Sequence, residues 1–301
     1  MAQRKKLPQL LMTVAVVVLF ASPALATTFV KQKFVCPIGG EKFEANVVAS
    51  NSTFGQRPDG KPYSPLPVYP IVECPQNGFL LFDEEFTSDE LQQLRIAVES
   101  AEFQAMRATD TPHYRAYWLK EKVGREPLQK IWSLTQAGWE TDQDWDRKVR
   151  YKAALIAEIT SLKRTEDNAD SWFWYNLRAA NALRELGYYG KADALLDRVY
   201  QTDQIPADED NAKNAAFFVE ELRALIAEEN PVVEPANLVP SEIAAFRCVV
   251  PHSVLSSSEL KACESKEIID AIESVTAKDG GQKLNGSAAI KYIKSKREVA
   301  E

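Results

Sequence analysis

Residues 172–200 read WFWYNLRAANALRELGYYGKADALLDRVY, and this stretch decides the fold class. Two runs with apolar residues at helical spacing flank Gly187. Small residues at Ala180 and Ala192 let two antiparallel helices approach closely. Gly187 ends the first helix, and Tyr189 packs over the turn. The expectation is a helix over 170–186 and a second over 190–201. Working toward the N-terminus, residues 142–164 form another helix, with Trp145, Val149, Ala153, Ile156 and Ile159 near helical spacing. Two more cover Pro127–Ala137 and His113–Val123. A further helix begins at Thr87-Ser88-Asp89-Glu90, a cap followed by first-turn acids, and runs to about Met106. Toward the C-terminus, a helix over 211–228 is followed by Asn230-Pro231-Val232-Val233-Glu234-Pro235. That run breaks the pattern and reads as a linker over 230–238. The tail, 239–301, carries short helices around 240–247, 257–276 and 286–297, with Gly280-Gly281 between the last two.

The fold class is therefore mainly α. The spacing of Ala180, Gly187, Tyr189, Ala192 and Leu196 resembles a tetratricopeptide repeat. A stable array of such hairpins needs about three stacked units, and the helices at 142–164 and 211–228 can complete the stack. An ordinary antiparallel helical hairpin is the alternative. Residues 87–229 form the expected tetratricopeptide-like helical domain.

Residues 27–86 differ in texture. They hold Cys36 and Cys74 and seven of the sixteen prolines: Pro37, Pro58, Pro62, Pro65, Pro67, Pro70 and Pro75. Proline at this density rules out long helices. Short β-prone pieces, Phe43–Val48 and Val68–Cys74, suggest a small loop and strand module.

Two motifs in that module are alike. Cys36-Pro37-Ile38-Gly39-Gly40 and Cys74-Pro75-Gln76-Asn77-Gly78 both look like C-P-x-C-G zinc knuckles lacking the second cysteine, with Gly39 and Asn77 at the lost ligand positions. A knuckle uses a tight turn to aim two thiolates at one metal, and four ligands make a structural zinc site. Together with the helical continuation, this resembles the bacterial domain-of-unknown-function family 2225, which pairs two such knuckles and often continues into tetratricopeptide-like helices. Members with all four cysteines look like zinc-ribbon proteins; this chain departs at two ligands, so no zinc carries over. The family has no assigned activity. A site that has lost half its ligands, in an oxidising compartment, reduces to a Cys36–Cys74 disulfide. The remaining pair, Cys248 and Cys263, then closes a local loop in the tail. Four cysteines allow three connectivities, and proximity within each module favours this one.

The first 26 residues explain why that compartment is expected. Arg4, Lys5 and Lys6 precede an apolar run from Leu10 to Phe20, then Pro23 and Ala24-Leu25-Ala26. These are the three parts of a cleavable secretory signal. The run is short of the ~20 apolar residues of a spanning helix. The expectation is export to the periplasm or another secretory route, with no stable membrane insertion after cleavage and a mature chain starting at Thr27. The whole chain has 36 basic and 43 acidic residues. Loss of three basic residues with the signal makes it more acidic still, which gives no footprint for nucleic acid.

No catalytic constellation, metal site or cofactor fingerprint stands out. C-x-x-C, G-x-S-x-G, H-E-x-x-H, P-loop and dinucleotide motifs are missing from the sequence. His113 is expected to cap or face solvent at a helix start, and His252 to lie in a turn. The acidic runs Asp83-Glu84-Glu85, Asp208-Glu209-Asp210, Glu220-Glu221 and Glu228-Glu229 read as solvated faces. Four consecutive aromatics, Trp172 to Tyr175, cannot all face one way at 100° per residue. Whichever of Trp172, Trp174 and Tyr175 is exposed is a candidate anchor for a protein or peptide partner. The expected function is a non-enzymatic interaction or scaffold protein. The alternatives are an envelope hydrolase using unidentified acids, or a zinc-binding module.

Overall fold

A computed structural model describes residues 27–201, 205–250, 254–279 and 282–298. The expected signal peptide, His252 and Gly280-Gly281 lie outside the described residues. The described chain is mainly helical. It opens with an antiparallel hairpin of β1 (Thr27–Val35) and β2 (Lys42–Asn51), in which Val35 faces Lys42 and Phe34 faces Phe43. β2 contains the expected strand at Phe43–Val48. Val68–Cys74 is not a strand: its proline-rich surroundings leave one bridge, between Glu73 and Leu80.

Twelve helices follow among the described residues. The first three are α1 (Ser88–Glu99), α2 (Ala101–Thr109) and α3 (Pro112–Lys122). The expected single helix to Met106 is thus broken. Ser100 adopts φ −67°, ψ 146°, and its hydroxyl accepts from Phe103 N, so it caps α2. Thr87 and Glu90 form a reciprocal capping box at the start of α1. Next come α4 (Pro127–Trp139), α5 (Trp145–Ser161), α6 (Ala169–Glu185), α7 (Tyr189–Val199) and α8 (Glu209–Ala227). Proline at the first position opens α3 and α4, and Asp144 and Asp208 cap α5 and α8.

Each helix from α3 to α7 packs on its successor in the chain. Gly187, at φ +78°, makes the α6–α7 turn. Tyr188 N donates to Leu183 O and Gly187 N to Arg184 O, the paired bonds of a Schellman ending. Ala180 and Ala192 are fully buried in the core between these helices. That core draws Ile131, Leu134, Leu155, Ile159, Leu177 and Leu196 from α4 to α7, and α8 contributes Ala215, Val219, Leu222 and Ile226, one stripe of its surface.

A second core joins Cys36, Ile38, Cys74, Phe79 and Leu80 to α1–α3. A third, small core lies in the tail, where Ala236 and Val239 meet α9 (Ser241–Cys248), α10 (Ser257–Cys263) and α11 (Lys266–Ser274); β3 (Thr276–Asp279), β4 (Gln282–Asn285) and α12 (Gly286–Glu298) complete the described tail. The helix expected over 257–276 is two helices, because Ser265 leaves the helical region and caps α11 at Ile268 N. The hairpin β3–β4 separates α11 from α12. The segment 230–238 has no helix or strand, yet Asn230, Ala236 and Asn237 are buried.

Candidate functional site

The two cysteine loops are built alike. Gly40 N donates to Cys36 O, and Gly78 N donates to Cys74 O. Cys36 N reaches Glu41 O and Cys74 N reaches Phe79 O, the same offset in each loop. Gly40 (φ +73°) and Gly78 (φ +77°) take the left-handed conformation that closes each turn. The loops face each other across the Cys36–Cys74 disulfide, Cα to Cα 5.8 Å. Asn77 Nδ2 donates across the pair to Ile38 O at 2.7 Å, so an amide now bridges the two loops beside Gly39. Cys248 and Cys263 are bonded in the tail, Cα to Cα 5.6 Å. Among the described residues no cysteine is free, and no cluster of three or more His, Cys, Asp or Glu side chains is arranged to hold a metal ion.

The aromatic run on α6 divides by angle as expected. Phe173 is fully buried, while Trp172, Trp174 and Tyr175 are half-buried and pack against the main core. Trp172 Nε1 donates to Leu162 O at 3.0 Å, and Arg178 sits over the Tyr175 ring. Burial pushes the Tyr175 hydroxyl up from its ordinary pKa.

A cleft of about 680 Å³ lies between α8 and the tail. Phe217, Glu220, Glu221, Ala224 and Glu228 line one wall. Phe217, the Glu220-Glu221 pair and Ala224 recur every three or four residues along α8, and Glu228 follows at its C-cap, a second stripe distinct from the core stripe. The other wall includes Asn237, Val239, Lys261, Glu267 and Ile268. Phe217 is 57% exposed. Glu228 anchors the wall: it accepts from Ser258 N at 2.8 Å and Ser258 Oγ at 2.7 Å, at the start of α10. Asn237 Nδ2 donates to Glu221 Oε2 at 2.6 Å, whereas its buried Oδ1 has no partner. Glu220 and Glu267 are exposed. Carboxylates outnumber the single lysine, so the cleft favours cationic groups, and its apolar patches favour an aliphatic stem beside them. Sequence reasoning read Glu220-Glu221 and Glu228-Glu229 as solvated faces. The signal that separates them is Phe217, an aromatic one turn before acids on a helix whose core stripe is already complete.

Comparison with protein-family models, curated proteins and solved structures finds no match for this chain.

His113 is not at the surface. It is buried at the start of α3, its Nδ1 2.7 Å from Glu140 Oε1. Neither expected role, cap or solvent-facing residue, is filled: Thr111 is the N-cap of α3, and the His113 ring is buried against Glu140. A larger buried polar network lies deeper. Arg57 bonds Asp59 through Nε at 3.1 Å and Asp142 through Nη1 at 2.8 Å. Lys61 also bonds Asp142, at 2.6 Å. Glu185 pairs with Lys152 and accepts from Asn181 Nδ2. Fully buried Arg184 donates to Asn181 and to Asn230 O, tying α6 to the 230–238 segment. Burial opposes ionisation of Asp59 and Asp142, but the Arg57 charge and its hydrogen bonds outweigh it. Both carboxyls sit below the usual carboxylate range. In the described residues no helix is long and apolar enough to cross a membrane.

Proposed function

We propose that this chain is an exported, non-enzymatic interaction protein. Its tetratricopeptide-like helices present the α8–tail cleft to a basic, partly apolar segment of a partner protein. The observation that carries the reading is the α8 stripe of Phe217, Glu220, Glu221, Ala224 and Glu228, which faces an open cleft instead of the core. Acids flanking an exposed aromatic suit a segment that carries lysine or arginine beside apolar residues. The periplasm or another secretory compartment fits two disulfides among four cysteines. The matching hydrogen bonds of the two cysteine loops support descent from a paired-knuckle module like that of family 2225. The sulfurs of Cys36 and Cys74 are bonded to each other, which leaves no thiolate for zinc.

A synthetic amphipathic peptide of alternating lysine and leucine pairs is a suitable probe. The full oxidised chain should bind it with strong salt dependence. The double substitution Glu220→Lys, Glu267→Lys should weaken binding at least tenfold with the melting temperature unchanged. Equal affinity of the double variant would remove the cleft from the proposal.

A further inference from the structure

A second cleft, of about 690 Å³, lies where the N-terminal segment, the start of α5 and the 230–247 region meet. Arg57, Lys148 and Arg247 line it together with Asp142 and Glu234. Val232, Val233, Ile243 and Phe246 supply apolar walls.

The cations around this cleft are not equally well paired. Within ion-pair reach, Arg57, Lys61, Lys148 and Lys152 share three carboxylates: Asp59, Asp142 and Glu185. Arg57, Lys61 and Lys152 each hold a carboxylate at hydrogen-bond distance. Lys148 does not. Its ammonium is 3.8 Å from Asp142 Oδ1 and 4.0 Å from Glu185 Oε2, and no hydrogen bond reaches either. Yet Lys148 is only 6% exposed. A largely buried ammonium that meets a cleft without a hydrogen-bonded acceptor leaves room there for an anionic partner.

We propose that this cleft binds a small organic carboxylate carrying an apolar body, with the carboxylate on the Lys148 ammonium. One negative charge matches the one lining cation that lacks a hydrogen-bonded carboxylate, since Arg57 holds Asp142 and Arg247 holds Glu259. A dianion such as phosphate would meet Asp142 and Glu234 in the same cleft with too few free donors. The aliphatic and aromatic walls accommodate the body of the ligand. Burial, with nearby Lys152, holds the Lys148 pKa below its ordinary value, against the pull of Glu185 and Asp142. An arriving anion would relieve that penalty.

Calorimetry on the full oxidised chain tests this with three probes: 3-phenylpropionate, 3-phenylpropanol and inorganic phosphate. The expected result is saturable binding of phenylpropionate at one site per chain, with the alcohol and phosphate at least tenfold weaker. Lys148→Met keeps the aliphatic stem and removes the charge, and should lose at least tenfold in affinity for phenylpropionate. Ile243→Trp fills the cleft without touching the charge network and should abolish binding even if Lys148→Met does not fold. No saturable phenylpropionate binding, equal affinity for the alcohol, tighter phosphate binding, or full affinity in Ile243→Trp would each overturn the proposal.

Discussion

Glu229 has φ +51°, the one positive value among the non-glycine residues described. It ends α8 as Gly187 ends α6: Asn230 N donates to Leu225 O and Glu229 N to Ile226 O. Glutamate in this conformation costs ~1–2 kcal/mol, and a glycine there loses ~0.4–1 kcal/mol through its freer unfolded state. Glu229→Gly should therefore stabilise by about 0.5–1 kcal/mol in urea unfolding. Gly187→Val tests the same geometry in reverse. A Cβ at Gly187 meets nothing within 4 Å, so its cost of ~1–2 kcal/mol is backbone strain, not a clash. Ala192→Leu acts by volume, and in a fully buried position should cost ~1–3 kcal/mol. Unchanged urea midpoints for both Gly187→Val and Ala192→Leu would contradict the α6–α7 packing. Gly187 was legible from sequence because glycine after a periodic run has one common use. Glu229 was not, because nothing in a glutamate pair announces a left-handed residue.

At the scale of elements, the long helices declared themselves through periodicity, and the short ones did not. Ser100 and Ser265 sit where a continuous helix would tolerate a solvent-facing serine. Only their neighbours' backbone N–H groups reveal them as caps. β1 was missed because its alternation mixes Phe29, Lys31, Lys33 and Val35 on one face, which blurs the inside–outside pattern. The disulfide pairing within each module rests on physical closeness, and the cysteine pairs stand at bonding distance. Loss of the tail bridge through paired Cys248→Ser and Cys263→Ser should cost ~3 kcal/mol, the loop-closure value for about fifteen residues. Because the tail core is small, that loss should appear as an early, separate melting step, and a single unchanged transition would count against it. On α6, Phe173→Ala should cost ~3–5 kcal/mol of folding. Trp174→Ala and Tyr175→Ala, each half-buried, separate core from anchor when melting and peptide binding are both measured. Loss of binding with melting preserved would make either residue an anchor.

Across the whole molecule, buried charge ties the N-terminal loops, α5, α6 and the 230–238 segment together. This network was illegible in the sequence, since Arg57, Asp142, Lys152 and Glu185 are far apart in the chain and ordinary in kind. Glu185→Gln leaves Lys152 buried without its carboxylate and should destabilise by ~3–5 kcal/mol. The depressed carboxyls of Asp59 and Asp142 set an acid limit. Between their folded values and the unfolded value near 4, the unfolded chain binds more protons. Their stabilisation is full above about pH 4 and is lost as pH falls through the folded values. Melting temperature should therefore fall below pH 4, and Asp142→Asn should melt lower at neutral pH but decline less steeply in acid.

The reading of the molecule as an interaction protein rests on the α8–tail cleft. Its most direct test is a photo-crosslinking amino acid placed at Phe217 in the full chain, expressed in the cells that make it. The account predicts a discrete adduct with another protein from Phe217. That adduct should be lost in Glu220→Lys, Glu267→Lys and missing when the same group stands at Lys213, an exposed α8 position outside the cleft. No adduct from Phe217, or one that survives charge reversal and forms equally from Lys213, would contradict it.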